Sequence, residues 1–213
     1  MAEHTHIPVK DSDAPVIIPT PETAERMTTA CAKFLETLTS DFRTKAEVPF
    51  EESERLRWHF LPTEMWDRTG VPIKEMNEKS REAAFNLLRC GLSEKGYQKV
   101  IAIMDLEATL GKIEQEMGAA HFNRHPELYF FTIFGHLAGN KPWGWRVEGH
   151  HFSLNFTIVD GDLIIPTPSS FGANPAEVRE GPKKGLRILS AEEDLARQLL
   201  DSLNTAQKNK AII

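Results

Sequence analysis

The sequence predicts an α+β fold in which N-terminal helices pack on an antiparallel β-meander and a C-terminal helix follows. Three observations support this prediction. Apolar residues recur every three or four positions in the first half of the chain. Aromatic and β-branched segments follow, and leucines at helical spacing come last. We expect a flexible leader over residues 1–19 and one domain over 20–213. Its parts are helices at about 20–118, a sheet at about 127–168, and a loop and C-terminal helix at 169–213.

The first helix is expected to begin after Thr20, whose hydroxyl is a favoured N-cap. Pro21 then occupies the first helical position, where its missing N–H has no intrahelical partner to lose. The apolar stripe from Met27 to Phe42 predicts one helix of about six turns.

Three further helices have recognisable starting residues. Asn77 and Ser93 are predicted N-caps of the second and third helices. In the last helix, Ser190 and Glu193 have the spacing of a capping box.

The sheet is expected to contain a strand over residues 128–137, a long strand over 145–159, and a hairpin turn at Asp160-Gly161. The long strand contains the sequence VEGHHFSLNF. Successive side chains of a strand point to opposite faces. His150 should therefore share a face with Glu148 and Phe152, while His151 faces the other way. Only a β-bulge at Gly149 would bring the two imidazoles to one metal ion.

The candidate functional residues cluster around this segment. Imidazole and carboxylate groups together suit zinc, iron or copper. We expect His150 and His151 as metal ligands, with His121 and His125 as possible additional donors. The expected catalytic residues are Glu148, His151 and Asn155, and the expected ligand-binding residues are Arg146, Ser153 and Asn174.

The sequence leaves three functional alternatives open. The first is a metal-dependent enzyme of unknown reaction. The second is a non-enzymatic domain that binds a small molecule, and the third is a structural domain with a hydrogen-bonded histidine pair. Each alternative accounts for polar residues on an otherwise apolar strand.

Composition argues against several other classes of protein. The net charge of −6 and the lack of a Lys/Arg run argue against a nucleic-acid-binding protein. No segment is apolar enough for a signal peptide or a membrane span, so we expect a cytoplasmic protein. Cys31 and Cys90 lie in helical patterns without metal-ligand spacing, which predicts free thiols.

Four segments of the chain resemble the bacterial domain-of-unknown-function family thirty-five hundred. They are ERLRWHFLP, REAAFNLLRCGLSEKGYQKVIAIMDLE, PWGWRVEGHHFSLNFTIVDG and FGANPAEVREGPKKGLRILSAEEDLARQLL. The resemblance runs from about Thr20 to the C-terminus and brings no established activity. It implies that His150, His151 and Asn155 belong to a shared site. It also implies that this chain is a short member or an N-terminal part, whose site a missing second half or a partner chain would complete.

Overall fold

The computed structural model describes residues 18–51, 53–139 and 141–213, and its elements follow the expected α+β order. Most of the expected leader, residues 1–17, lies outside the described residues. The helices are α1 (Pro21–Thr37), α2 (Ser40–Ala46), α3 (Glu78–Cys90), α4 (Glu94–Glu116), α5 (Ser190–Ser202) and α6 (Thr205–Ala211). The strands are β1 (Glu47–Val48), β2 (Val71–Pro72), β3 (Tyr129–Phe134), β4 (Trp143–Gly149), β5 (Phe152–Val159), β6 (Leu163–Ile165) and β7 (Ser169–Phe171). Within these ranges, no helix combines the length and the apolar character needed to cross a membrane.

The expectation of one long first helix is wrong, because the chain breaks between α1 and α2. Leu38 is extended, with ψ at 145°. The Thr39 hydroxyl then accepts the N–H of Phe42 and starts a new helix. Threonine side chains compete in this way for backbone N–H groups. Thr20 precedes α1 as expected, but its side chain makes no capping hydrogen bond.

The predicted caps of α3 and α4 are confirmed. Asn77 accepts the N–H of Ser80, and Ser93 accepts the N–H of Gly96. The capping box predicted for α5 is wrong, because Leu189 occupies the N-cap position. The Glu193 side chain is instead bound by arginines.

The sheet contains seven strands in the described part of the chain, and its central strands form the expected meander. Strands β3, β4, β5 and β6 pair antiparallel in chain order. β1 lies parallel to β3, β2 pairs antiparallel with β3, and β7 pairs antiparallel with β5.

The prediction of one continuous strand over residues 145–159 is wrong. β4 ends at Gly149, β5 begins at Phe152, and His150-His151 forms the two-residue turn between them. In this register Glu148 lies opposite Ser153 and Val147 lies opposite Leu154. The predicted faces are therefore also wrong, because a two-residue turn reverses the alternation of side chains that a single strand would keep.

The two faces of the sheet differ in chemistry. One face carries large apolar side chains that pack under the helices, and the Phe34 ring of α1 lies 5.6 Å from the Phe131 ring of β3. The other face carries buried polar side chains. These are Thr132, Arg146, Glu148, Ser153 and Asn155.

Segment 53–68 lies over the polar face of the sheet and is held there by contacts with two buried charged residues, Arg146 and Glu148. Arg146 is fully buried, and its guanidinium lies 2.7 Å from a Glu54 carboxylate oxygen and 3.0 Å from the Glu148 carboxylate. The other Glu148 oxygen accepts the backbone N–H of His59 at 2.9 Å. Burial raises the pKa of Glu148, and the charge of Arg146 and the His59 N–H oppose that increase. The pair thus connects the sheet to the segment above it.

We expect the substitution Glu148→Gln to lower the free energy of unfolding by about 3 kcal/mol, since breaking a buried ion pair leaves Arg146 partly uncompensated. Urea denaturation measures the change. The matched control is Glu82→Gln on an exposed surface of α3, which should change stability by less than about 0.5 kcal/mol. Equal effects of the two substitutions would contradict a structural role for Glu148.

The two thiols should differ in reactivity. Both cysteines are free, but Cys31 is buried while Cys90 is partly exposed. Burial raises the pKa of the Cys31 thiol, and the thiolate is the reactive form. We expect an alkylating reagent at pH 8 to modify Cys90 in the folded protein and Cys31 only after unfolding. Mass spectrometry of the labelled peptides measures this, and equal labelling rates would contradict the buried position of Cys31.

Candidate functional site

The site lies at the turn between β4 and β5, where the two histidines come together. Their ring centroids are 3.5 Å apart with an interplanar angle of 33°. His151 has φ at 68°, in the left-handed region. For a residue with a side chain this conformation costs roughly 1–2 kcal/mol. Such strain is concentrated at functional sites.

Three hydrogen bonds hold the turn in place. The N–H of His151 donates to the carbonyl of Phe60, and the carbonyl of His151 accepts the N–H of Gly172 at 2.7 Å. The Tyr129 hydroxyl donates to the carbonyl of His150 at 2.8 Å. A Cβ atom on Gly149 would lie 2.3 Å from the Tyr129 ring, so only glycine permits this close approach.

A buried carboxylate from the helical layer meets the two imidazoles. Glu107 lies on α4 with 4% of its side chain exposed. One of its oxygens is 2.6 Å from Nδ1 of His150 and 3.6 Å from Nδ1 of His151. The two histidines keep 12% and 17% of their side chains exposed. The cluster is therefore open to solvent on the histidine side.

Glu107, His150 and His151 have the geometry of a metal site. They are the one group in the described ranges whose three donor atoms lie within 4.8 Å of one another. Ligand atoms 2.0–2.1 Å from a tetrahedral zinc ion lie roughly 3.3 Å apart. The observed 2.6 Å and 3.6 Å bracket this separation, and the two imidazole nitrogens lie within 4.8 Å of each other, so side-chain adjustment would complete three ligand bonds.

The protonation states of the cluster also suit a metal ion. Burial acts to raise the pKa of Glu107, but hydrogen bonds with His150 and His151 and the nearby Arg124 hold it below its usual range. Burial lowers the pKa of His150, and the Glu107 carboxylate offsets part of that decrease. An ionised carboxylate and a neutral imidazole are the forms that bind metal.

Arg124 completes the charged cluster. Its Nε and Nη2 donate to the two Glu114 oxygens at 2.8 Å and 2.6 Å. Its Nη1 lies 2.9 Å from Nδ1 of His150 and 3.7 Å from the second Glu107 oxygen. Only 7% of the Arg124 side chain is exposed, so the guanidinium is fixed beside the candidate metal ligands.

A cavity of about 10 Å³ borders Glu107 and His150 and has His125 in its wall. This volume suits a single water molecule or ion. Nδ1 of His125 accepts the N–H of Glu127 at 3.1 Å. A neutral His125 ring therefore carries its proton on Nε2 and can donate into its surroundings. His121 is exposed, and neither His121 nor His125 belongs to the three-donor group.

The structure separates the other expected site residues from the histidines. Glu148 pairs with Arg146 on the polar face of the sheet. On the same face, the Asn155 amide donates to the Ser153 hydroxyl and to the carbonyl of Pro168. Asn174 is exposed at an open cleft of about 1450 Å³ between α4 and the segment that precedes α5. Of the expected site residues, only His150 and His151 therefore lie beside Glu107.

Sequence reasoning missed Glu107, Arg124 and Tyr129. The sequence did contain one usable signal for Glu107. It lies among Ile103, Met104 and Leu110 on the buried side of α4, and a lone acid in an apolar stripe needs a partner. The sequence contained no comparable signal for Arg124 and Tyr129. Their contacts with His150 depend on the path of the chain before and into β3, which local patterns do not predict.

Together these features define an α+β domain with a candidate mononuclear metal centre at a hairpin turn. The model of the family described as "Protein of unknown function (DUF3500)" matches residues 20–213. The chain therefore belongs to this family, and the resemblance seen in its sequence is confirmed. No curated protein and no solved structure matches the chain.

We expect the substitution His151→Gly to give a more stable metal-free protein than His151→Ala, by about 1 kcal/mol. Both substitutions remove the imidazole, but only glycine adopts a positive φ without strain. Thermal unfolding in the presence of a chelator measures the difference. An alanine variant as stable as the glycine variant would contradict a left-handed conformation at residue 151.

Proposed function

We propose that the chain binds one divalent transition-metal ion through Glu107, His150 and His151, and that this ion is the reactive centre of an enzyme. The convergence of two imidazole nitrogens and one buried carboxylate carries the proposal. The strain at His151 adds support, because a plain structural turn would favour asparagine or glycine at such a position.

Three protein ligands leave open coordination positions for water or substrate. Two histidines and a glutamate occur in zinc enzymes, where the ion lowers the pKa of a bound water molecule. Two histidines and a carboxylate on one side of an ion also occur in non-haem iron oxygenases. Copper(II) prefers a tetragonal arrangement of nitrogen and oxygen ligands, which would need a further equatorial ligand beyond these three donors. We therefore favour zinc or iron and either hydrolytic or oxidative chemistry on a small molecule.

In this proposal Glu148 acts as a positioning residue. Its carboxylate accepts the N–H of His59, and the carbonyl of the next residue, Phe60, accepts the N–H of His151. Arg68 donates to the carbonyls of His59 and Gly149 from the same side. Glu148 thus fixes the segment that holds the metal-binding turn, although it does not reach the metal donors.

A second candidate is a metal-free domain that is structural or binds a small ligand. The 2.6 Å contact between His150 and Glu107 favours it, because this contact satisfies both groups without an ion. Further metal ligands from a partner chain or from a following segment stay a prediction.

We expect untagged protein to retain about one Zn²⁺ or Fe²⁺ per chain after loading and dialysis. Glu107→Gln and His150→Ala should each weaken binding by more than about 100-fold, since loss of even an outer partner of a ligand costs roughly 10–100-fold. Elemental mass spectrometry gives the stoichiometry, and calorimetry gives the affinity.

His136→Ala is the matched control for this experiment, because His136 is exposed and lies outside the metal-donor group. It should bind metal like the wild type. Failure of the wild type to bind either ion would rule out the metal centre and leave the metal-free candidate. Unchanged binding in Glu107→Gln would show that the ion is held elsewhere.

A further inference from the structure

We infer that Arg124 binds an anionic oxygen of the ligand at the open position of the metal, and that this ligand is a carboxylate. The inference rests on the proposed function, because it assumes an ion held by Glu107, His150 and His151. It assigns a role to a buried guanidinium whose Nη1 points at the candidate metal ligands.

Arg124 is fixed so that one nitrogen remains available. The two oxygens of the Glu114 carboxylate accept hydrogen bonds from Nε and Nη2 of Arg124. The Phe122 ring lies 4.9 Å from the guanidinium carbon, and a Cβ atom on Gly111 would lie 3.0 Å from the Cβ of Arg124. Glu107, Gly111 and Glu114 lie on one face of α4. Helix α4 thus positions the guanidinium and supplies the metal carboxylate.

Nη1 of Arg124 lacks a suitable acceptor in the cluster. It lies 2.9 Å from Nδ1 of His150, but this nitrogen is also 2.6 Å from Glu107. One Nδ1 cannot donate to a carboxylate and accept from a guanidinium at the same time. Nε2 of His150 is 3.4 Å away and the second Glu107 oxygen is 3.7 Å away, both beyond the usual 2.7–3.2 Å range.

A metal ion makes the need for an acceptor stronger. A bound ion would take the lone pair of His150, which would leave Nη1 only the distant second Glu107 oxygen at 3.7 Å and any group that arrives with the ion. A buried N–H without an acceptor is unfavourable. An oxygen bound at an open position of the metal lies in the same small region and supplies the acceptor.

The charge balance identifies that oxygen as anionic. The shielded groups of the cluster are two carboxylates and one guanidinium, which give a net formal charge of −1 with neutral histidines. Glu64 also lies near Arg124, but its side chain is exposed and its charge is screened by solvent. A divalent ion changes the net formal charge of the shielded groups to +1. A single carboxylate neutralises the site, with one oxygen on the metal and the other on Nη1, since guanidinium and carboxylate groups form strong charge-assisted hydrogen bonds. The substrate class is therefore a small carboxylic acid.

The test uses cobalt(II)-loaded protein, whose visible spectrum reports changes at the metal. Acetate is the probe, and acetamide is its neutral counterpart. We expect acetate to change the spectrum with saturation and acetamide to have little effect. Arg124→Gln should bind cobalt but weaken acetate binding about 10-fold or more, the effect of losing one hydrogen bond to a charged group. The control Arg179→Gln removes an exposed arginine and should bind acetate like the wild type.

Arg124→Lys provides a second variant if Arg124→Gln does not fold. It keeps the positive charge beside Glu114, but an ammonium group lacks the planar fork that can hold Glu114 and donate to a second carboxylate, so acetate should bind several-fold more weakly. Equal acetate binding in wild type, Arg124→Gln and Arg124→Lys, with cobalt bound in all three, would overturn the inference and leave the metal site intact. Failure of the wild type to bind cobalt, zinc or iron would instead overturn the proposed function.

Discussion

The hydrogen bonds that clamp the His150-His151 turn are the constraint on which the candidate site depends. The carbonyl of Phe60, the N–H of Gly172 and the hydroxyl of Tyr129 hold its backbone from three sides. Without this clamp, two imidazoles at the end of a hairpin would sample many rotamers, and ordering them would cost conformational entropy on binding. With it, both rings are already directed at Glu107, so the cluster is preorganised for a ligand.

The polar face of the sheet supports this clamp through a buried ion pair. Arg146 and Glu148 are fully buried and paired, and they hold segment 53–68 against the strands. The same segment contributes the Phe60 carbonyl that holds His151. Stability and site geometry are therefore coupled. A substitution on the polar face is expected to affect the metal site without touching it.

The sequence predicted the fold better than the site. Helical periodicity and the caps at Asn77 and Ser93 were sufficient to predict α3 and α4. The segment between Gly149 and Phe152 was misjudged because a His-His pair is not a usual turn signal, and a strand can accommodate it. Whether residues 150 and 151 turn depends on tertiary contacts from Phe60 and Gly172, which local patterns do not contain. The same error reversed the two faces and directed attention to Glu148 instead of Glu107.

The measurement that tests the central claim most directly is an X-ray absorption spectrum of the zinc-loaded protein, compared with that of Glu107→Gln. We expect scattering from two imidazoles and one or more oxygen donors at about 2.0–2.1 Å, with the imidazole contribution lost or reduced when Glu107 is changed because zinc is no longer held. A zinc environment without imidazole scattering, or a spectrum unchanged in Glu107→Gln, would contradict a metal centre formed by Glu107, His150 and His151.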